Sequence, residues 1–346
     1  MMKKLLHYIL FFFNSLILLS LFSSLLSPFV NPNTFWPISF FGLFFPIILC
    51  LCIFFSIYWY FYNKKYVWVN LILILISLPY GSRFIAVNLQ ESTKEGINVM
   101  SYNVRLFNKW KWINEDGIKQ KTVQFINKQN LDILCIQEYY NPGKNLKLNF
   151  EFSHIGLQKR KEDWHMAIYS NYPQIHKQTV NIDGSRMNNS CIYSDIVIEK
   201  DTIRVYNIHL ASNFFQKRDL DYIISIEKEK VKNALVGIGK KLKYSFERRG
   251  REVDQIKKHM DNSPYPIIIC GDFNDTPVSY AYQKLGENKK DAFLESGNGI
   301  GASFNKIPTL RIDYILIDKM LKSNAFSTHQ EKFSDHRAIS STIKLN

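Results

Sequence analysis

Six short stretches of this 346-residue chain place carboxylates, carboxamides and imidazoles where apolar runs stop. Pro266-Ile267-Ile268-Ile269-Cys270-Gly271-Asp272-Phe273-Asn274 reads as a fully buried strand running into a turn. Its acid and amide are two residues apart, so in extended chain both side chains project to one side. Val205-Tyr206-Asn207-Ile208-His209 repeats the pattern, with Asn207 and His209 on the face of Ile203 and Val205. Asn103 ends the run Val99 to Tyr102, Glu138 follows Ile133 to Gln137, Asp313 interrupts the apolar segment Ile312 to Ile317, and Ser334-Asp335-His336 precedes the last apolar run. Taken singly, each reads as a turn former or a hydrogen-bonded core residue. A strand interior tolerates such groups only when they are paired or used. Sheets of α/β type gather ligand sites at strand ends, so one cleft could collect groups able to bind a ligand and move protons.

The elements that must position them follow from apolar spacing. Short strand-like pieces occur at Ile97 to Tyr102, Ile133 to Ile136, Met166 to Tyr169, Cys191 to Ile198, Ile203 to Leu210, Ile267 to Cys270, Ile312 to Ile317 and Ala338 to Ile343. Between the sixth strand and the one before it, Val231, Leu235, Ile238 and Leu242 recur at steps of three and four, predicting a helix that covers a sheet with this face. The mixed-sign charges around it predict a solvated outer face.

Upstream the chain changes character. No Asp or Glu occurs before Glu91, and only Lys3, Lys4, Lys64, Lys65 and Arg83 carry positive charge there. That leaves 39 of the 44 basic residues against all 30 acidic ones, a net +9 that suits a polyanion or an anionic membrane surface. Disorder, a collagen-like repeat and a small disulfide scaffold are excluded. Residues 5–30 and 37–62 are apolar stretches exceeding the roughly 20 residues that cross a bilayer, and 67–87 is a third, interrupted by Asn70, Pro79, Gly81 and Arg83. Residues 1–90 are thus expected to be a membrane anchor of about three transmembrane helices, and 91–346 a catalytic domain. The two lysine pairs place the amino terminus and the second loop in the cytoplasm. Three crossings then put the carboxy-terminal domain outside, whereas an interfacial third segment leaves it inside. Cys135, Cys191 and Cys270 lie in strand-like runs and read as buried thiols.

The ordered set "SYNVR", "IQE", "NIHL", "GDFN", "RIDYIL" and "SDH" resembles the endonuclease/exonuclease/phosphatase superfamily, which includes DNase I, abasic-site endonucleases, neutral sphingomyelinases and inositol-phosphate phosphatases. The resemblance covers residues 96–346 and implies a four-layer α/β-β/α sandwich, here preceded by transmembrane helices. It implies that Glu138 binds Mg²⁺, for which Mn²⁺ could substitute, with Asn103 beside it and Asp335 as a further carboxylate. Oxygen ligands suit a hard cation, and no Cys/His cluster argues for zinc. His336 is then the general base, oriented by Asp313. Asp272 and Asn274 position nucleophile and phosphate, and His209 hydrogen-bonds or protonates a phosphoryl oxygen. Tyr139, Tyr140, Trp110, Trp112, Arg105 and Arg186 are possible substrate contacts.

The reading these residues give is a membrane-anchored, Mg²⁺-dependent phosphodiesterase or nuclease. A sphingomyelinase-like phospholipid phosphodiesterase, a phosphatase and an inactive polyanion-binding module are the alternatives. Partners are a phosphate-ester substrate, nucleic acid or phospholipid, and the lipid bilayer; the expected place is a bacterial-type inner membrane with an extracytoplasmic catalytic domain.

Overall fold

The computed structural model describes residues 2–89, 93, 95–140, 146–156, 165–182, 191–213 and 228–345. In chain order the helices are α1 (Met2–Leu26), α2 (Pro32–Phe35), α3 (Pro37–Leu43), α4 (Phe45–Tyr62), α5 (Lys64–Gly81), α6 (Ile118–Asn127), α7 (Lys228–Met260), α8 (Tyr280–Leu285) and α9 (Ala292–Ser296). The strands are β1 (Ile97–Asn103), β2 (Ile133–Tyr139), β3 (Phe152–Gly156), β4 (His165–Ser170), β5 (Gln174–Thr179), β6 (Cys191–Ile198), β7 (Asp201–His209), β8 (Ile267–Asp272), β9 (Lys289–Asp291), β10 (Asp313–Asp318), β11 (Lys322–Thr328) and β12 (Ile339–Lys344). Two compact units result. One comprises Met1–Phe84, Ser212–Gly250 and Asp275–Gln283, and the other Ile85–Ala211, Arg251–Asn274 and Lys284–Asn346.

Among the described residues of the first unit, three helices are long and apolar enough to cross a membrane: Leu5–Leu26, Phe45–Tyr62 and Lys64–Phe84. The second begins later than the apolar run suggests. Pro46, within the first turn of α4, lacks an N–H and suits a helix start, so Pro37–Leu43 forms a separate helix and the chain breaks at Phe44. The third continues through its polar interruptions. Asn70 donates to the Tyr66 carbonyl (2.9 Å) and accepts from Cys52 Sγ (3.4 Å), so its amide is satisfied within the bundle. Leu21, Leu25, Phe45, Ile48 and Cys52 form the buried core of this unit together with Val278.

The second unit holds two mixed six-stranded sheets, ordered β11-β12-β1-β2-β4-β3 and β5-β6-β7-β8-β10-β9. In each, one central pair is parallel, β1 with β2 and β7 with β8, and the remaining pairs are antiparallel. The sheets pack face to face through Val99, Ile133, Cys135 and Ile168 of the first and Ile196, Val205, Ile268, Cys270 and Ile315 of the second. Alternate residues of the first sheet, Met100, Tyr102, Leu134 and Ile136, point outward onto Phe125 and Ile126 of α6. On the outer face of the second sheet, His259 of α7 packs on Tyr193 and Tyr206 and hydrogen-bonds the Tyr206 hydroxyl (2.8 Å). This is the four-layer α/β-β/α sandwich.

The helix α7 forms, with Leu242 of the expected face buried and Ile238 half-buried, while the side chain of Val231 lies outside the described residues and Leu235 departs from the expectation. Leu235 is 56% exposed, and the buried stripe runs through Ala234, Leu242, Phe246, Val253, Ile256 and Met260. Ala234, Leu235 and Val236 are all apolar and fit more than one phase, and the register of the long C-terminal half decides between them.

Gly271 sets the spacing of the two parallel strands of the second sheet, because a Cβ there would lie 2.1 Å from the Ile208 carbonyl oxygen. Gly271→Ala is therefore expected to cost about 3 kcal/mol through overpacking, a fall of about 6–12 °C in the melting temperature measured in detergent micelles.

Candidate active site

Four central strands, β1, β2, β7 and β8, end together on the inner faces of the two sheets. Val99, Ser101 and Asn103 of β1 alternate inward, which points Asn103 at the second sheet; there Asp272 lies opposite His209 on one side and Asp313 on the other. Regular alternation along β2 would send Glu138 outward. Instead the register between β2 and β4 shifts between Ile136 and Tyr139, and Glu138 adopts φ +50°. This bulge re-aims the carboxylate to the inner face, where its Oε1 accepts from Asn103 Nδ2 (3.3 Å).

Asn103 Nδ2 also donates to Asp272 Oδ2 (3.0 Å), so one carboxamide ties together the acids of both sheets. His209 Nε2 lies 3.7 Å from Glu138 Oε1 and 3.7 Å from Asp272 Oδ2. His336 Nε2 approaches the same Asp272 oxygen at 3.6 Å, while its Nδ1 is held by Asp313 Oδ2 at 2.9 Å. The backbone N–H of Asn274 donates to Asp272 Oδ1 (2.8 Å), and its side-chain amide donates to the Leu210 carbonyl (3.0 Å). Asp335 Oδ2 is 3.2 Å from both Arg105 Nη1 and Lys306 Nζ.

Six of the eight residues singled out in the sequence thus make one connected network: Asn103, Glu138, His209, Asp272, Asp313 and His336. Asp335 adjoins it, adding to the negative field at Glu138, with two cations on its outer oxygen. Asn274 contributes its backbone N–H to Asp272, while its side chain serves the chain beyond β7. Arg311, two residues before Asp313, pairs instead with Asp291 (2.6 Å), which leaves Asp313 to His336.

Burial dominates the electrostatics. It pushes Glu138 up to about 7, with Asp335 and Asp272 adding to the rise and His336 and Asn103 opposing it. Burial raises Asp272 as well, with Asp313 adding to the rise and His336 opposing it. At His336 burial favours the neutral ring, but Asp313 and Asp272 outweigh it and carry the imidazole up to about 10. The network is one in which several acids share few cations.

Glu138 Oε2 is buried without a hydrogen-bond partner among the described residues. A buried carboxylate oxygen left so is costly unless it serves a cation. The carboxylates of Asp272 and Asp335 near it are oxygen donors that suit a hard divalent ion, whereas Asn103 turns its amide N–H groups there and its Oδ1 accepts from the Arg105 N–H (3.0 Å). Asp272, Asp313 and His336 also bring one ligand atom each within 4.8 Å of one another. In that group the imidazole nitrogen facing Asp313 is already engaged and the ring favours its protonated form, so the oxygen-rich side at Glu138 fits a cation better.

Several supporting groups were not apparent from sequence patterns. Ser303 Oγ accepts from the backbone N–H groups of Ile312 and Asp313 and fixes the start of β10. Ser334 Oγ donates to the Asn103 carbonyl (2.8 Å) and accepts from the His336 N–H (3.2 Å), pinning the histidine's turn to β1. Beneath the site, Gln137 donates to Asn207 (2.7 Å) and to Ser101 (3.1 Å), bridging the sheets. Gln137 was visible within "IQE", at the inward position two residues after Cys135. Of the possible substrate contacts, Arg105 stacks its guanidinium on Trp112 (4.3 Å to the ring centre), and Lys109 lies over Trp110 and Tyr140. Tyr139 is buried and hydrogen-bonds Tyr169, a packing role. Arg186 lies outside the described residues.

A two-sheet sandwich with acids and imidazoles converging at its strand ends defines the class: a DNase I-like hydrolase of phosphate esters. The chain belongs to the Endonuclease/Exonuclease/phosphatase family, whose model matches residues 100–336. Residues 7–84 match a second model, described as a Domain of unknown function (DUF8431). No curated protein matches the chain. Among solved structures it is similar to an endonuclease/exonuclease/phosphatase family protein from Bacteroides thetaiotaomicron, with TM-score 0.53 and 16% identity over 73% of this chain and 96% of that one. It is similar to the human Nocturnin catalytic domain with bound sulfate, with TM-score 0.51 and 15% identity over 75% of this chain and 95% of that one. A mannosyl-6-phosphatase of Bacteroides thetaiotaomicron gives TM-score 0.50 and 16% identity over 72% of this chain and 100% of that one. These likenesses concern the fold.

Proposed function

We propose that this phosphoester hydrolase is a membrane-anchored phosphodiesterase that depends on a divalent cation, Mg²⁺ first, with nucleic acid as its leading substrate class. The observation that carries the cation dependence is the buried, unpartnered Oε2 of Glu138, beside an Asn103 amide that joins it to Asp272. Glu138, with the Asp335 carboxylate nearby, would hold the ion, and Asn103, expected beside it, would steady the Glu138 carboxylate through Nδ2. Bound there, it would offset the carboxylates and stabilise the charge that builds on the phosphoryl oxygens.

The chain's own groups divide the remaining work. With no ion present, His336 serves as the counter-charge of Asp313 and Asp272 and keeps its proton. Once another positive charge shares those carboxylates, the imidazole has less reason to stay protonated and can take a proton from water at Nε2, with Asp313 fixing Nδ1. Asp272, held by Asn103 and the Asn274 N–H, orients that water. His209, between Glu138 and Asp272, is placed to donate to a phosphoryl oxygen in the transition state.

The decisive experiment is a substrate panel on the full chain in detergent micelles: plasmid DNA, RNA and sphingomyelin vesicles, each with Mg²⁺, with chelator, and with His336→Ala. Cation-dependent cleavage of nucleic acid that His336→Ala abolishes is the expected result. Cleavage confined to sphingomyelin would move the substrate class to phospholipid, and binding without cleavage of any ester would make the chain a polyanion-binding module.

Two features support three crossings and an extracytoplasmic catalytic domain. Gly42, between the first two candidate spans, and Arg83, at the end of the third, both bond to the segment Asp275–Gln283. The lysine pairs lie at the opposite ends of those helices. In a bacterial host, alkaline phosphatase fused after Glu95 should be active and green fluorescent protein dark; fluorescence without phosphatase activity would overturn this topology.

A further inference from the structure

The segment that follows Asn274 is gripped by the N-terminal helices. Thr276 Oγ1 donates to the Gly42 carbonyl (3.2 Å), and the approach is so close that a Cβ on Gly42 would lie 2.4 Å from the Val278 carbonyl oxygen. Val278 is fully buried among Leu21, Leu25, Phe45 and Ile48. Arg83 donates to the Pro277 carbonyl (3.1 Å) and to Gln283 Oε1 (3.0 Å), with its guanidinium between the rings of Tyr80 (5.0 Å) and Tyr282 (5.5 Å). Asp275 accepts from Arg249 Nε (3.1 Å) and from the Thr276 N–H (3.0 Å). Arg83 is the one charged residue between Lys65 and Glu91, and its charge is spent on this segment.

We propose that the N-terminal helices are a positioning element of the catalytic apparatus: by gripping Asp275–Gln283 through Gly42 and Arg83, they fix the chain that carries Asp272 and Asn274. A tether alone would need one span and no such fit. Catalytic groups must hold their places to a fraction of an ångström, and about 1 Å of misplacement costs about 10²-fold in rate. Asn274 is joined on one side to Phe273, whose N–H donates to the Ile312 carbonyl (2.8 Å), and on the other to Asp275, so freedom in the gripped segment reaches the turn whose N–H holds Asp272 from that second side. Arg83 and Gly42 act through that loop and touch no substrate.

The inference rests on the phosphodiesterase reading for its kinetic arm only, and the experiment separates the two. Full-length wild type, Gly42→Leu, Arg83→Gln and Arg83→Lys in detergent micelles are compared by amide hydrogen exchange and by hydrolysis of bis(4-nitrophenyl) phosphate with Mg²⁺. Gly42→Leu and Arg83→Gln should speed exchange across residues 272–283 at least about tenfold while leaving β1 and β12 protected. They should lower kcat about 10- to 100-fold with KM within about twofold, and Arg83→Lys, which can still donate to the Pro277 carbonyl, should recover most of the loss. Arg83→Gln keeps the test valid if Gly42→Leu does not fold. Unchanged exchange in 272–274, or faster exchange with unchanged kcat, would overturn the proposal. If wild type hydrolyses no diester, the substrate reading fails and the exchange arm alone decides: release of 272–274 supports the grip and its absence refutes it.

Discussion

Glu138→Gln should reduce kcat about 10³-fold, as for the loss of a group that stabilises charge in the transition state. The substitution keeps shape and removes the charge that a divalent ion needs. It should also abolish the rise in melting temperature that millimolar Mg²⁺ gives wild type, since binding to the folded state alone stabilises it. A pH signature separates this from general damage. With chelator present, the Glu138 carboxyl sits at about 7 in the folded chain, above its ordinary 4.5. The folded state therefore binds this proton more tightly than the unfolded one, and wild-type stability falls as pH rises from 4.5 through 7. Glu138→Gln should lack that fall. A variant that retains both Mg²⁺-dependent stabilisation and turnover would show that the ion binds elsewhere.

His336→Gln should lower kcat by about 10²- to 10⁴-fold, the range for removing an acid–base group, while leaving the Mg²⁺-dependent rise in melting temperature in place. The pairing of lost turnover with retained stabilisation distinguishes it from Glu138→Gln. Its pH signature in chelator has the opposite sense. The imidazole rises from 6.5 to about 10 on folding, so its contribution is fully present below 6.5 and disappears as pH rises through 10. Thermal melts of wild type against His336→Gln should therefore converge toward pH 10. Wild-type melts that stay flat over that interval, relative to the variant, would remove the Asp313–imidazolium pair from the description.

The eight strands read from the sequence are all present, and among the described residues the four that escaped notice are β3, β5, β9 and β11, which edge the two sheets there. The physical reason is common to them. Edge strands face water along one side and avoid long apolar runs, as Gln174-Ile175-His176-Lys177-Gln178-Thr179 shows, so their pairing leaves little pattern to read. The central strands are buried on both faces and announce themselves as runs of Ile, Val and Cys. The same contrast holds in the site. Glu138 and His336 stood out because a charged or ionisable group beside an apolar run has to be accounted for. Ser303 and Ser334 act through backbone contacts made across long sequence separations, and a serine near a turn is too common to signal this. The direction in which Glu138 points was also hidden, because it depends on the bulge in β2 and on a positive φ that no local composition dictates.

The last strand has a temporal consequence. β12 lies between β11 and β1, so residues 339–344 complete the sheet that β1 began about 240 residues earlier in the chain. His336 precedes β12 directly and is seated by Ser334 against the Asn103 carbonyl. A nascent chain emerging from its ribosome or translocon therefore holds Asn103 and Glu138 long before it holds His336. The site is therefore assembled only once β12 has emerged and paired with β1.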